Sequence, residues 1–170
     1  QEYDVKVDDC AGITAATVRA RKEIFDIVAA LVRKDPKTWE GLRVMATAEQ
    51  LGHRTARRIH GRYTMTGLDV HEGRRFPDAV ASSSFGIDIH AVTRKENLER
   101  PTYSTFAPKE DVDPYQQTPV YQIPLRACQA KDADNLYMAG RNISGDFIAH
   151  ASYRVTGSSV AIGEGVGKAV

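Results

Sequence analysis

Asn135-Leu136-Tyr137-Met138-Ala139-Gly140-Arg141 is the stretch on which the reading of this chain turns. Apolar side chains dominate from Leu136 to Ala139 and the run stops at a glycine, the pattern of a short buried strand entering a turn. Downstream, His150, Ser152, Tyr153 and Arg154 precede Gly157. The end, Ser158 to Val170, is small and glycine-rich yet keeps helical spacing, with Gly163 and Gly167 about one turn apart. A strand that ends in glycine and feeds a small-residue helix suits a ligand with negative charge. Backbone N–H groups and the helix dipole can then face a phosphate or an anionic ring edge.

Upstream of this segment, Val120 to Leu125 reads as a short strand whose Pro124 places it at an edge or a strand end. Residues 93 to 119 are polar, carry Pro101, Pro108, Pro114 and Pro119, and read as a long irregular excursion. Val80 to Val92 is a strand candidate centred on Phe85 to His90. Leu42 to Ala46 and Thr55 to Met65 are further strand-like stretches, the latter in loose alternation. A helix is expected from about Thr14 to Lys34, capped by Thr14, with Ala20, Ile24, Ile27, Val28 and Leu31 on one face. Pro36 prevents its continuation.

The chain has 170 residues, the size of one domain or a large piece of one. Lys plus Arg number 23 and Asp plus Glu 22, so the net charge is +1. That balance argues against a dedicated nucleic-acid or membrane-surface binder, which concentrates basic residues on one face. Hydrophobic residues make up 42% and charged ones 26%, which excludes a disordered chain. The longest apolar run, Ile27 to Val32, falls far short of the roughly 20 residues of a membrane span. Cys10 and Cys128 form no CxxC pair, so neither a disulfide framework nor a zinc site is expected, and no metal ligand set is assigned. The start, Gln1-Glu2-Tyr3-Asp4, has neither an initiating Met nor signal-peptide features, and the chain is expected to begin within a longer protein.

Several generic site signals fail on their own chemistry. Gly163-Glu164-Gly165-Val166-Gly167 resembles a dinucleotide fingerprint, but counted from Gly165 the third glycine's place is taken by Val170, and the run follows a helix-like stretch rather than a strand. Gly157-Ser158-Ser159-Val160-Ala161 approaches a nucleophile elbow, yet no His follows Ser159 to complete a hydrolase triad. Arg54, Arg58, His60 and Arg62 would share one face of a strand, with Arg57, Ile59 and Tyr63 on the other. This patch reads equally as an anionic ligand site and as a bridge network to Asp69, Glu72 and Asp78. Asp88 and His90, two apart on a strand, project from one face and can meet a substrate or each other.

Taken together, Arg57-Arg58-Ile59-x-Gly61-x-Tyr63, Arg75-Phe76-Pro77-Asp78-Ala79-Val80, Gly86-Ile87-Asp88-Ile89-His90, Tyr121-x-Ile123-Pro124-Leu125-Arg126, Asp134 to Ser144 and Ala149-His150-Ala151-Ser152-Tyr153-Arg154-Val155 resemble the C-terminal part of the xanthan-lyase-like FAD-dependent oxidoreductases. The resemblance spans about residues 10 to 170 and is most specific from Asp134 onward. Thr55 and Ala56 depart from it, standing where an acidic residue and Thr or Ser are expected. Arg62 stands in place of Glu and Ala151 in place of a glycine.

The resemblance implies a flavoprotein of the glutathione-reductase-like class whose N-terminal GxGxxG half is absent from this chain. The fold class expected is α/β, mixed α+β in isolation. Residues 1–133 would form a substrate and cap region, and residues 134–170 would return into the Rossmann-like FAD-binding domain. Ala139, Gly140 and Arg141 would then lie near the pyrophosphate or ribityl chain. Ser159, Val160 and Ala161 at the helix start would face the flavin pyrimidine edge.

The spacing His150-x-x-x-Arg154-x-x-Gly157-x-Ser159 is similar to the His and Arg segment of fumarate reductase and succinate dehydrogenase flavoproteins, where those side chains hold a substrate carboxylate. The resemblance makes His150 and Arg154 candidate catalytic residues, and His90 joins them as a third. The function expected is hydride transfer between FAD and a small-molecule or carbohydrate-derived substrate. FAD is expected in the intact parent and weakly or not at all in this chain alone. The alternatives are a non-catalytic module without cofactor and, distantly, a polyanion binder built on Arg54 to Arg62.

Overall fold

The computed structural model describes residues 5–89, 95 and 118–170. The chain divides into two compact units, Gln1–His53 and Arg54–Val170.

The first unit is dominated by helix α1, Cys10–Lys34. Its cap is Asp9 rather than the expected Thr14, because the Asp9 carboxylate accepts from the N–H groups of Ala11 and Gly12 at 3.1 Å each. Thr14 sits inside the helix and donates its hydroxyl to the Cys10 carbonyl at 2.8 Å. The helix ends before Pro36, as expected, with Asp35 as its C-cap. On the expected apolar face Ile24 and Ile27 are exposed, while Ala20, Val28 and Leu31 are half-buried. Leu42 to Ala46, expected to be strand-like, forms no strand.

The second unit orders its elements as α2 (Gly67–His71), β1 (Ala79–Ser83), β2 (Tyr121–Pro124), α3 (Leu125–Cys128), α4 (Phe147–Tyr153) and α5 (Thr156–Ala169). Strands β1 and β2 pair antiparallel, Ala81 opposite Ile123 and Ser83 opposite Tyr121, with an irregularity between Ala79 and Ala81. Pro124 closes β2, as its missing N–H requires. Helix α5 lies against β1 so closely that a Cβ on Gly165 would stand 1.9 Å from the Val80 carbonyl oxygen. Only glycine fits there. Met65, Val70, Tyr121, Ile123, Ile143, Tyr153 and Ile162 form a core in which each is fully buried. No helix among the described residues is long and apolar enough to cross a membrane.

Three strand expectations are corrected. Thr55 to Met65 joins no sheet. It is held by single bridges at Gly61–Ala130 and Met65–Gly145, and by bonds from Ile59 N–H to the Asn142 carbonyl and from Tyr63 N–H to the Arg126 carbonyl, both 3.0 Å. The strand expected from Val80 shrinks to β1, and Phe85 to Ile89 runs on outside any strand. Leu136 to Ala139 contributes only a bridge between Tyr137 and Gln129. The burial expected of it is not reached either: Tyr137 and Met138 are half-buried against the core, and Leu136 and Ala139 are exposed.

Candidate functional site

Helix α4 and the residue that ends it carry the two central side chains. Asp146 starts the helix: its Oδ1 accepts from Ala149 N–H at 2.7 Å, while its Oδ2 accepts from Gly67 N–H at 2.9 Å at the start of α2. One carboxylate thereby supplies acceptors to two helix N-termini. One turn further on, Arg154 N–H donates to the His150 carbonyl at 3.1 Å, so His150 and Arg154 lie along one face.

His150 is 1% exposed, and neither ring nitrogen makes a hydrogen bond of full geometry among the described residues, although the Arg141 backbone comes near enough to favour the charged ring. Its ring meets that of Tyr153 edge-on, with centroids 5.4 Å apart. Burial, with help from the positive charges of Arg58 and Arg154, pushes the imidazole pKa down to about 4. The ring is therefore neutral near neutral pH, with one nitrogen able to donate and the other to accept a hydrogen bond.

Arg154 is 8% exposed. Its Nη1 donates to Thr55 Oγ1 and its Nη2 to the Asp88 carbonyl, each at 2.7 Å. Nε is buried and has no partner among the described residues. Burial and the neighbouring Arg54 lower the guanidinium pKa, while Asp88 opposes them. Arg54 pairs with the Asp88 carboxylate at 3.4 Å. The Arg154 fork thus ties three segments together while leaving N–H groups unused.

Gly140 and the start of α5 adjoin. Gly140 is buried at φ +85°, and a Cβ there would sit 3.4 Å from Ser159 Cβ. The helix begins at Val155, which provides no side-chain cap. Ser159 turns its hydroxyl back to the Val155 carbonyl at 3.0 Å. Gly157 has open space where a Cβ would point, Val160 is exposed, and Ala161 is half-buried. Ala139 and Arg141 are exposed, and Arg141 is among the groups acting on His150.

The structure therefore brings Gly140 to Ser159, and Arg141, Arg58 and Arg154 around His150. His90 lies outside the described residues. The shared cationic face does not form, because its arginines go to separate acceptors: Arg54 to Asp88, Arg58 to the Asp146 carbonyl at 3.0 Å, and Arg62 to Asp134 at 2.5 Å. Asp69 and Glu72 instead take Arg74, at 2.7 and 3.6 Å, and Asp78 takes Arg126 at 3.7 Å. The role of Thr55 as an acceptor for Arg154 had no signal in the sequence beyond its departure from the family pattern. Among the described residues no cluster of His, Cys, Asp and Glu is placed to hold a metal.

A family model described as FAD dependent oxidoreductase matches residues 1–170. No curated protein and no solved structure matches the chain.

Proposed function

The chain belongs to the FAD dependent oxidoreductase family, and from that premise we propose that it supplies the substrate-holding residues and the flavin-facing helix start of an enzyme that moves hydride between an organic substrate and FAD. The resemblance from Asp134 to Val155 supports reading it as the C-terminal portion of a two-domain, glutathione-reductase-like flavoprotein close to the xanthan-lyase-like group. In that reading residues 1–133 are the substrate and cap region, and residues 134–170 complete the FAD domain.

The residues present fit such a group. Gly140, with no side chain and φ +85°, allows close backbone approach at the point where α5 begins. The uncapped start of α5 offers N–H groups and the positive end of a helix dipole to anionic atoms, and Gly157 leaves the space before it open. Arg141 would add a cation beside that approach. When bound, FAD supplies the two-electron acceptor or donor.

On the substrate side, Arg154 offers an N–H on Nε and the unused hydrogens of its fork. Its lowered pKa makes it a readier proton donor than a solvated guanidinium. His150, neutral and without a full hydrogen bond among the described residues, offers one donor and one acceptor. The observation that carries the proposal is this pair: two buried polar side chains one turn apart, each with nitrogen atoms unsatisfied among the described residues. Buried polar atoms are normally hydrogen-bonded, so an unsatisfied pair needs a reason. His90 is proposed as a third participant on its spacing from Asp88 alone. Replacing Arg154 by Lys and measuring turnover and flavin content on the same preparation tests the assignment.

A further inference from the structure

Arg154 is a buried cation whose direct acceptors are both neutral. Nη1 meets the hydroxyl of Thr55 and Nη2 meets the backbone carbonyl of Asp88, each at 2.7 Å. The Asp88 carboxylate pairs with Arg54 and acts on Arg154 through space, offsetting part of its charge without a direct hydrogen bond to it. Burying a guanidinium against neutral acceptors is costly, and a carboxylate at the Thr55 position would bond it more strongly. A carboxylate would also cancel the charge. Threonine orients the group without cancelling it.

We propose that Thr55 is a positioning residue for Arg154, fixing the direction of the guanidinium while leaving its charge for an anionic group of the substrate. The inference rests on the reading of Arg154 as a substrate-holding residue. It adds the residue that makes the cation usable. The hydroxyl lies 99 positions away in sequence and holds Nη1. The Asp88 carbonyl holds Nη2, so rotation about the Nε–Cζ bond requires both bonds to break. With Nη1 and Nη2 so held, the unpaired Nε–H keeps one direction.

The test is side-chain nitrogen NMR of Arg154 in the 170-residue chain, with Thr55→Ser, Thr55→Val and Thr55→Asp, and a melting curve for each. Wild type and Thr55→Ser are expected to show resolved Nη1 and Nη2 signals from slow rotation. Thr55→Val is expected to average them, and resolved signals in a folded Thr55→Val chain would overturn the positioning role. Thr55→Asp is expected to keep the signals resolved and to raise the His150 ring pKa from about 4, because the new carboxylate offsets the Arg154 charge while Arg58 and Arg141 still face the ring. An unchanged His150 titration in Thr55→Asp would overturn the claim that Thr55 leaves the Arg154 charge uncancelled. If Thr55→Val does not fold, the Ser and Asp variants carry the decision. These signals need neither flavin nor substrate. Failure of the underlying reading shows separately, as normal activity per flavin in Arg154→Lys.

Discussion

The N–H of Gly67 donates to Asp146 Oδ2 at 2.9 Å, across 79 positions of sequence, while the other oxygen of the same carboxylate caps α4. This places the start of α2 against the start of the helix that carries His150. Asp146→Ala removes both acceptors. A lost N-cap costs about 1 kcal/mol and a lost hydrogen bond to a charged group about 1.5–3 kcal/mol. The variant is expected to lose roughly 2–4 kcal/mol in urea unfolding, with Asp146→Asn recovering part of it.

Gly140→Val tests the glycine turn. A β-branched residue at φ +85° is strained by about 1–2 kcal/mol or more, and its Cβ would come into contact with Ser159 at 3.4 Å, on the approach that glycine leaves open. Flavin content of the intact enzyme is expected to fall, as read from visible absorbance per protein. A fully flavinylated and active Gly140→Val enzyme would place this turn away from the cofactor.

His150 should make stability depend on pH. Its folded pKa, about 4, lies below the unfolded value near 6.5. Above the unfolded value both states hold a neutral ring. As pH falls from there toward 4 the unfolded chain takes up the proton first, so stability is lost across that window and the contribution levels off below it. The expected loss is on the order of 3 kcal/mol at most. His150→Leu should flatten this part of the curve in unfolding experiments from weakly acidic to neutral pH. An unchanged slope would mean that the ring is protonated or solvated in the folded chain.

Much of the architecture was readable from local chemistry. Pro36 ends α1, Pro124 ends β2, and the small residues after Gly157 form a helix whose Gly165 meets the Val80 backbone. These signals act within a few residues or depend on side-chain size. The misreadings concern partners far away in sequence. Thr55 to Met65 alternates like a strand, but its arginines reach Asp88, Asp146 and Asp134 separately, and spacing alone cannot show that. Leu136 to Ala139 is apolar like a central strand yet finds only one bridge in this chain. Of the site, His150, Arg154, Gly140 and Ser159 were reached through the family resemblance. Thr55 required the fold, because a lone threonine carries no motif.

The chain by itself is expected to hold FAD weakly, since the proposed flavin-facing elements are only the start of α5 and the Gly140 turn. Isothermal titration of FAD into the 170-residue chain checks this. Tight binding would show that these elements suffice.

The central claim is that Arg154 serves the substrate and not the flavin or the fold alone. Turnover per bound flavin in Arg154→Lys tests it most directly, because lysine keeps the charge but loses the planar fork held by Thr55 and the Asp88 carbonyl. The account predicts flavin content like that of wild type and turnover lowered by about 10-fold or more, the worth of one charge-assisted hydrogen bond. Normal turnover per flavin, with a lowered melting temperature or flavin content, would contradict it.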